Sequence, residues 1–180
     1  MRRLGSFLAF ALALLIAAPS LFAQERDKDG FVKTGEGIRL KKVAFFNVKV
    51  YDIQSFAKEV PSAKSKEGMI NLDADKKLAW KMLRSVDAEK IRNALREAYA
   101  KNNYANSAKI EQLIAPLSSE LKEGSWVTIA YDAGAKKTTL YSGSAKATVD
   151  GADFMKATWS IWFGNIDQPS LSDSLLTNLK

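Results

Sequence analysis

The chain contains no cysteine and no histidine. That excludes a Ser-His-Asp triad, a thiol nucleophile and an ordinary zinc site, because each needs an imidazole or a thiolate. It also excludes a disulfide frame, so the core must hold the fold unaided. Acidic residues are not grouped at metal-ligand spacing, and no Gly-x-x-x-x-Gly-Lys phosphate loop occurs. No metal and no cofactor are expected, and function should be insensitive to thiol reagents and chelators. Four prolines and ten glycines in 180 residues leave no room for a low-complexity or collagen-like reading, and there is no internal repeat.

Only one long apolar run occurs, "LGSFLAFALALLIAAPSLFA", residues 4–23, preceded by Arg2 and Arg3. A basic start, an apolar stretch and small residues at its end have the layout of a secretory signal peptide. Cleavage is expected after Ala23, with Ser20 as the fallback. The rival is an uncleaved anchor, against which Pro19 and the small residues near the end argue. Residues 1–23 are therefore read as a cleaved signal peptide and 24–180 as one domain, periplasmic or secreted, with no stable membrane anchor after cleavage. Loss of the signal lowers the formal charge from +7 to +5. Lys and Arg are spread along the domain, which reads as a solvated basic surface and not as a nucleic-acid site.

Period-two alternation dominates from Ile38 to Tyr51 and predicts one long strand, or a hairpin-like pair bent near Asn47. Its even positions (Ile38, Leu40, Ala44, Phe46, Val48, Val50) read as the core face. Arg39, Phe45 and Tyr51 share the odd face unless a bulge shifts the parity. "SAKSKEG" reads as a polar connection, and "MINLDADKKLAWKMLRSV" as two strands, the second with Leu78, Trp80 and Met82 on one face. Asp87 is an N-cap for a helix through Ile91, Leu95 and Ala98. A second helix carries Ile110, Leu113 and Ile114 and meets Pro116, which cannot donate an amide. Three antiparallel strands follow, then a helix over "GADFMKATWSIWFG" and a last amphipathic helix. This order is α+β, an antiparallel sheet covered on one face by helices.

"GEGIR", a strand ending "VKVYDI", "KMLRSVDAEKIRNALREA", "EGSWVTIAYDAG" and "WSIWFGN" occur in that order. The ordered set resembles the chalcone isomerase-like family, most closely its secreted bacterial branch, from about residue 35 to 179. The resemblance implies an open-faced β-sandwich. The Gly-x-Gly is then no dinucleotide loop, since strand pattern and not a helix follows it. The glycines are expected to shape a turn that presents Arg39. In the plant isomerases an Arg at the matching place helps to position and stabilise an anionic substrate oxygen. The family's helix Asn falls on Asn93. Its other hydroxyls fall near Phe46, Val86 and Ile161, which have none, although Ser160 adjoins the last.

The resemblance therefore implies an exported protein that binds a small apolar anionic ligand, a fatty acid or a phenolic, in a cleft between sheet and helices. Arg39 would pair with the anion, and Asn93, Tyr104, Phe154 and Trp162 would line the site, the last two as a wall. The alternative is an isomerase of the intramolecular-lyase type acting on chalcone-like enones, which needs no histidine because the substrate phenol can ionise. A third reading is an accessory protein without a pocket. Against these stand plainer roles: a surface ion pair of Arg39 with Glu36 or Asp52, a solvated Asn93, and core tryptophans.

Overall fold

A computed structural model describes residues 26–179, and the expected signal peptide lies outside them. Strands β1 (Val32–Val43), β2 (Phe46–Ala57), β3 (Lys76–Met82), β4 (Trp126–Asp132), β5 (Lys137–Ser142) and β6 (Ala145–Asp150) form one sheet. Its spatial order is the chain order, and every pairing is antiparallel. Tight turns join β1 to β2, β4 to β5 and β5 to β6, whereas the links from β2 to β3 and from β3 to β4 are long and carry helices. Helices α1 (Lys66–Asn71), α2 (Ala88–Lys101), α3 (Ser107–Ile114), α4 (Ala152–Phe163) and α5 (Pro169–Ser174) complete the fold, with a 3₁₀ turn at Thr177–Leu179. The architecture is the expected open-faced antiparallel sheet with helices on one face. None of the described helices is long and apolar enough to cross a membrane.

Register defines the buried face. Ile53, Trp80 and Val127 stand side by side across β2, β3 and β4, and Ser55, Leu78, Ile129 and Leu140 form the next row. Each of these residues is buried. On them lies α4, whose Phe154, Trp159, Trp162 and Phe163 are nearly inaccessible to solvent. Burial of such aromatic area is the main source of cohesion in a chain without cross-links.

Three local expectations change. The Ile38–Tyr51 stretch is a hairpin turning at Ala44 and Phe45, and its core face is the odd one on β2: Ile53, Ser55 and Ala57 are buried, whereas Ile38 and Phe46 are exposed. Val50, at the register shift next to Arg39, packs against the core, so one parity does not assign a single face across the whole stretch. Next, "SAKSKEGMIN" contains α1 in place of a strand; Ser65 caps it by accepting from the Gly68 amide at 3.0 Å. Finally, the last helix is two short pieces, with Leu171, Leu175 and Leu179 buried. The Asp87 cap and the stop before Pro116 are as expected.

One buried charge stands out. Lys76 is 0% exposed, and its Nζ donates to the Met69 carbonyl (2.7 Å) and lies 4.7 Å from the centre of the Trp159 ring. The ammonium thus caps the C-terminal carbonyls of α1. Burial pushes its pKa down to about 7, although Asp73 pulls the other way. Unfolding lets Lys76 regain a proton between about pH 7 and 10, so folding stability should rise with pH across that window. The thermal midpoint should climb between about pH 7 and 9, by at most roughly 2 kcal/mol of stability. Lys76→Met should flatten that slope, which calorimetry at three pH values would read. Tyr99 and Tyr131, whose pKa values burial raises, oppose the trend only at higher pH.

Candidate ligand-binding site

Gly35, Gly37 and Arg39 alternate along β1 and share its helix-facing side, opposite Ser55, Ile53 and Tyr51 of β2. The glycines form no turn: they lie inside the strand. A Cβ on Gly35 would stand 2.3 Å from the Ser174 carbonyl oxygen, and one on Gly37 2.8 Å from Leu171 Cδ1. Their role is to let α5 seat on the strand backbone. Thr34 donates to the Leu175 carbonyl (3.0 Å), which fixes that seat.

Arg39 is the first large side chain on this face, and only 18% of it is exposed. Its Nη1 lies 2.6 Å from Asp167 Oδ1, in the link between α4 and α5. The pair lacks the alignment of a hydrogen bond, and Nη1 has no other acceptor among the described residues. Burial works against the guanidinium charge, but Asp167 more than offsets it, and the Arg39 pKa is raised. In return Arg39 holds the Asp167 carboxyl below the usual range. The next residue, Gln168, clasps the free edge of β1: its Oε1 accepts from the Leu40 amide (2.8 Å) and its Nε2 donates to the Ile38 carbonyl (2.9 Å). These bonds satisfy edge groups next to the register shift between Arg39 and Leu40.

Tyr51 is the direct cross-strand neighbour of Arg39. Its hydroxyl accepts from Trp162 Nε1 (3.2 Å), and its ring meets Trp80, which meets Trp162, each at 5.6 Å. Burial raises the Tyr51 pKa, while Arg39 pulls it down, so the phenol stays protonated and can donate. Trp80 Nε1 is buried without a partner in the same sector. The result is a cation and a phenol beside an aromatic stack that holds an unmatched indole N–H. That is donor chemistry suited to an oxyanion.

The other expected site residues lie elsewhere, apart from Trp162. Phe154 is two turns before Trp162 on α4 and packs on Tyr99 (5.8 Å) and Tyr104 (5.7 Å), so the two do not form one wall. Tyr104 keeps a buried hydroxyl without a partner in that second cluster. Asn93 is exposed on α2; its Oδ1 accepts from Arg96 (2.7 Å) within a network joining Glu89, Arg92 and Glu111. Arg96 there brings the Glu111 carboxyl down to about 2. Two surface grooves, of about 470 and 340 Å³, are lined around Phe31 and Lys33 and around Lys64 and Leu176, and neither includes Arg39.

Asp167, Gln168, Trp80 and the pairing role of Tyr51 were not identified as site features from sequence. The shared odd parity of Arg39 and Tyr51 was the available signal. Asp167 left none, because its partner is 128 residues away in the chain. Among the described residues, no group of three acidic side chains could hold a metal ion.

Comparison with known proteins bears on the fold. No curated protein sequence matches the chain. Among solved structures, the crystal structure of an Arabidopsis thaliana fatty-acid binding protein has a similar fold, with a TM-score of 0.70 at 14% identity over 85% of this chain and 90% of that one. The family described as chalcone isomerase-like matches residues 24–177. An antiparallel open-faced sheet, a Gly-x-Gly-x-Arg strand seated under the terminal helix and a match over most of the chain together establish that it belongs to the chalcone isomerase-like family.

Proposed function

We propose that this protein, as an exported member of the family's secreted bacterial branch, binds a small apolar anion, a fatty acid or a phenolic. Its acid group would sit between Arg39 and Tyr51. The observation that carries this reading is the largely buried guanidinium facing a partly buried phenol, with its counter-charge on a side chain that is itself 48% exposed. Burying a guanidinium costs desolvation, and Asp167 is the group that offsets it here. Asp167 occupies the anion position and must yield to a ligand. The fold shared with a protein whose title names fatty-acid binding supports the ligand class. With residues 1–23 read as a signal peptide from their basic start and apolar run, the ligand would be met in the periplasm or outside the cell.

Native mass spectrometry of the purified protein tests for a bound acid, and displacement of a fluorescent fatty acid measures affinity. Arg39→Ala should weaken carboxylate binding by about tenfold or more. It should leave binding of the corresponding methyl ester unchanged. Equal carboxylate affinity in both proteins removes the anchor role.

A second reading has one observation on its side. Trp80, Trp162 and Phe154 fill the space between the layers. A family member that keeps the scaffold for interaction alone would look like this, and it predicts no uptake by any variant. The isomerase alternative has less support. Tyr51 offers a hydroxyl beside Arg39, but Asn93 is engaged by Arg96, Ser160 by the Lys156 carbonyl, and Phe46 is 74% exposed. A tetrahydroxychalcone that decays no faster with the protein than without it sets that activity aside.

A further inference from the structure

The β1–β2 hairpin ends in a two-residue turn that carries an unusual set of side chains. Phe45 is 95% exposed, Phe46 74% and Val43 56%, at consecutive or facing positions around the turn. Ala44 turns the chain with a φ of 52°, a conformation that favours glycine. Lys41, Lys42 and Lys49 ring the tip, all exposed, and no ion pair reaches any of them among the described residues. From Gly37 to Tyr51 the chain has no acidic residue at all.

We propose that this tip docks on an anionic phospholipid surface, with Phe45 and Phe46 inserted among the acyl chains and the three lysines on the headgroups. Two large apolar side chains at an apex waste their hydrophobic area in water, and none of the other described residues covers them. The tip is convex, so it offers no groove to a partner helix or strand. A bilayer needs no shape match: it supplies apolar depth beneath a layer of negative charge. Each lysine near such a surface multiplies affinity by about fivefold. Aromatic side chains prefer the boundary between headgroups and hydrocarbon. The contact is peripheral and reversible, since one hairpin tip is far smaller than a membrane-spanning element. The same hairpin bears Arg39 and Tyr51 roughly 14 Å from its end, at about 3.4 Å per residue.

Vesicle sedimentation tests the proposal, with the purified protein and vesicles of phosphatidylcholine with or without phosphatidylglycerol. The wild type should sediment with the anionic vesicles, less at high salt, and far less with neutral ones. The double variant F45S/F46S and the triple variant K41Q/K42Q/K49Q should each bind at least tenfold more weakly. These positions are exposed, so circular dichroism should match the wild type. In Phe45→Trp the added indole should be quenched by brominated lipid, which reports insertion of the tip itself. Equal binding by wild type and F45S/F46S overturns the proposal, as does equal binding to neutral vesicles. A wild-type dimer that dissociates in F45S/F46S, with no vesicle binding, overturns it in favour of a second copy of the chain. Fatty-acid displacement in vesicle-free buffer is unaffected by the tip variants, so failure here is separable from failure at Arg39.

Discussion

Gly35→Ala should lower the thermal midpoint by about 6–12 °C, more than any other single methyl group added to β1. The new Cβ would stand 2.3 Å from the Ser174 oxygen, 2.4 Å from the Leu175 carbonyl carbon and 2.7 Å from its oxygen. All three are backbone atoms, so no rotamer change relieves the clash. Either β1 or α5 must move. Lifting α5 exposes Leu171, Leu175 and Leu179, each at most 1% accessible, and breaks the Thr34 bond to Leu175. Overpacking of this kind costs about 3 kcal/mol. At 2–4 °C per kcal/mol for a domain of this size, that gives the stated range. Gly37→Ala meets mainly the mobile end of Leu171, at 2.8 Å, and should cost clearly less. Differential scanning fluorimetry of both variants decides it. Equal midpoints for the two would mean that α5 is not seated on the strand backbone.

Asp167→Asn should tighten binding of an aliphatic carboxylate by about tenfold or more, the opposite of what a ligand-contacting residue would do. Asp167 lies 2.6 Å from Arg39 Nη1, the position that a ligand anion would take in the proposed site. Its carboxyl is held below the ordinary range by Arg39, so it stays charged at every pH at which the protein would be assayed. Neutralising it leaves Arg39 with a buried charge and no counter-ion, which a carboxylate ligand then satisfies. A charge-assisted hydrogen bond contributes about 1.5–3 kcal/mol, or roughly ten- to a hundredfold in affinity. The gain must vanish in the double variant R39A/D167N, because it acts only through the guanidinium. Displacement titrations on the two single variants and the double one form that cycle. Weaker binding by Asp167→Asn would make Asp167 part of the site and not its stopper.

Much of the scaffold could be read from residue order. Period-two alternation located the strands, because side chains of a strand alternate faces whatever the rest of the fold does. Asp87 and Pro116 marked helix limits through backbone hydrogen bonding, which is local. Where burial had to be assigned to a face, the same logic failed. On β1 the buried side carries Gly35 and Gly37, which have no hydrophobicity to detect, and the exposed side carries Ile38. The site was half legible: Arg39 stood out as the lone guanidinium after the glycines and Tyr51 shared its parity, but Phe154 and Tyr104 were assigned to a cleft that they do not line.

The sequence by itself determined the antiparallel sheet with its helical cover and the lack of any thiol or imidazole side chain. These follow from composition and short-range periodicity, which hold along the chain without knowledge of distant partners. Only the tertiary structure decided which side of the leading strand is inside, that Asp167 meets Arg39 from 128 positions away, and that Phe45 and Phe46 stand exposed at the hairpin tip. Those outcomes depend on how closely α5 can approach a strand stripped to glycine, a long-range packing condition that no local pattern encodes.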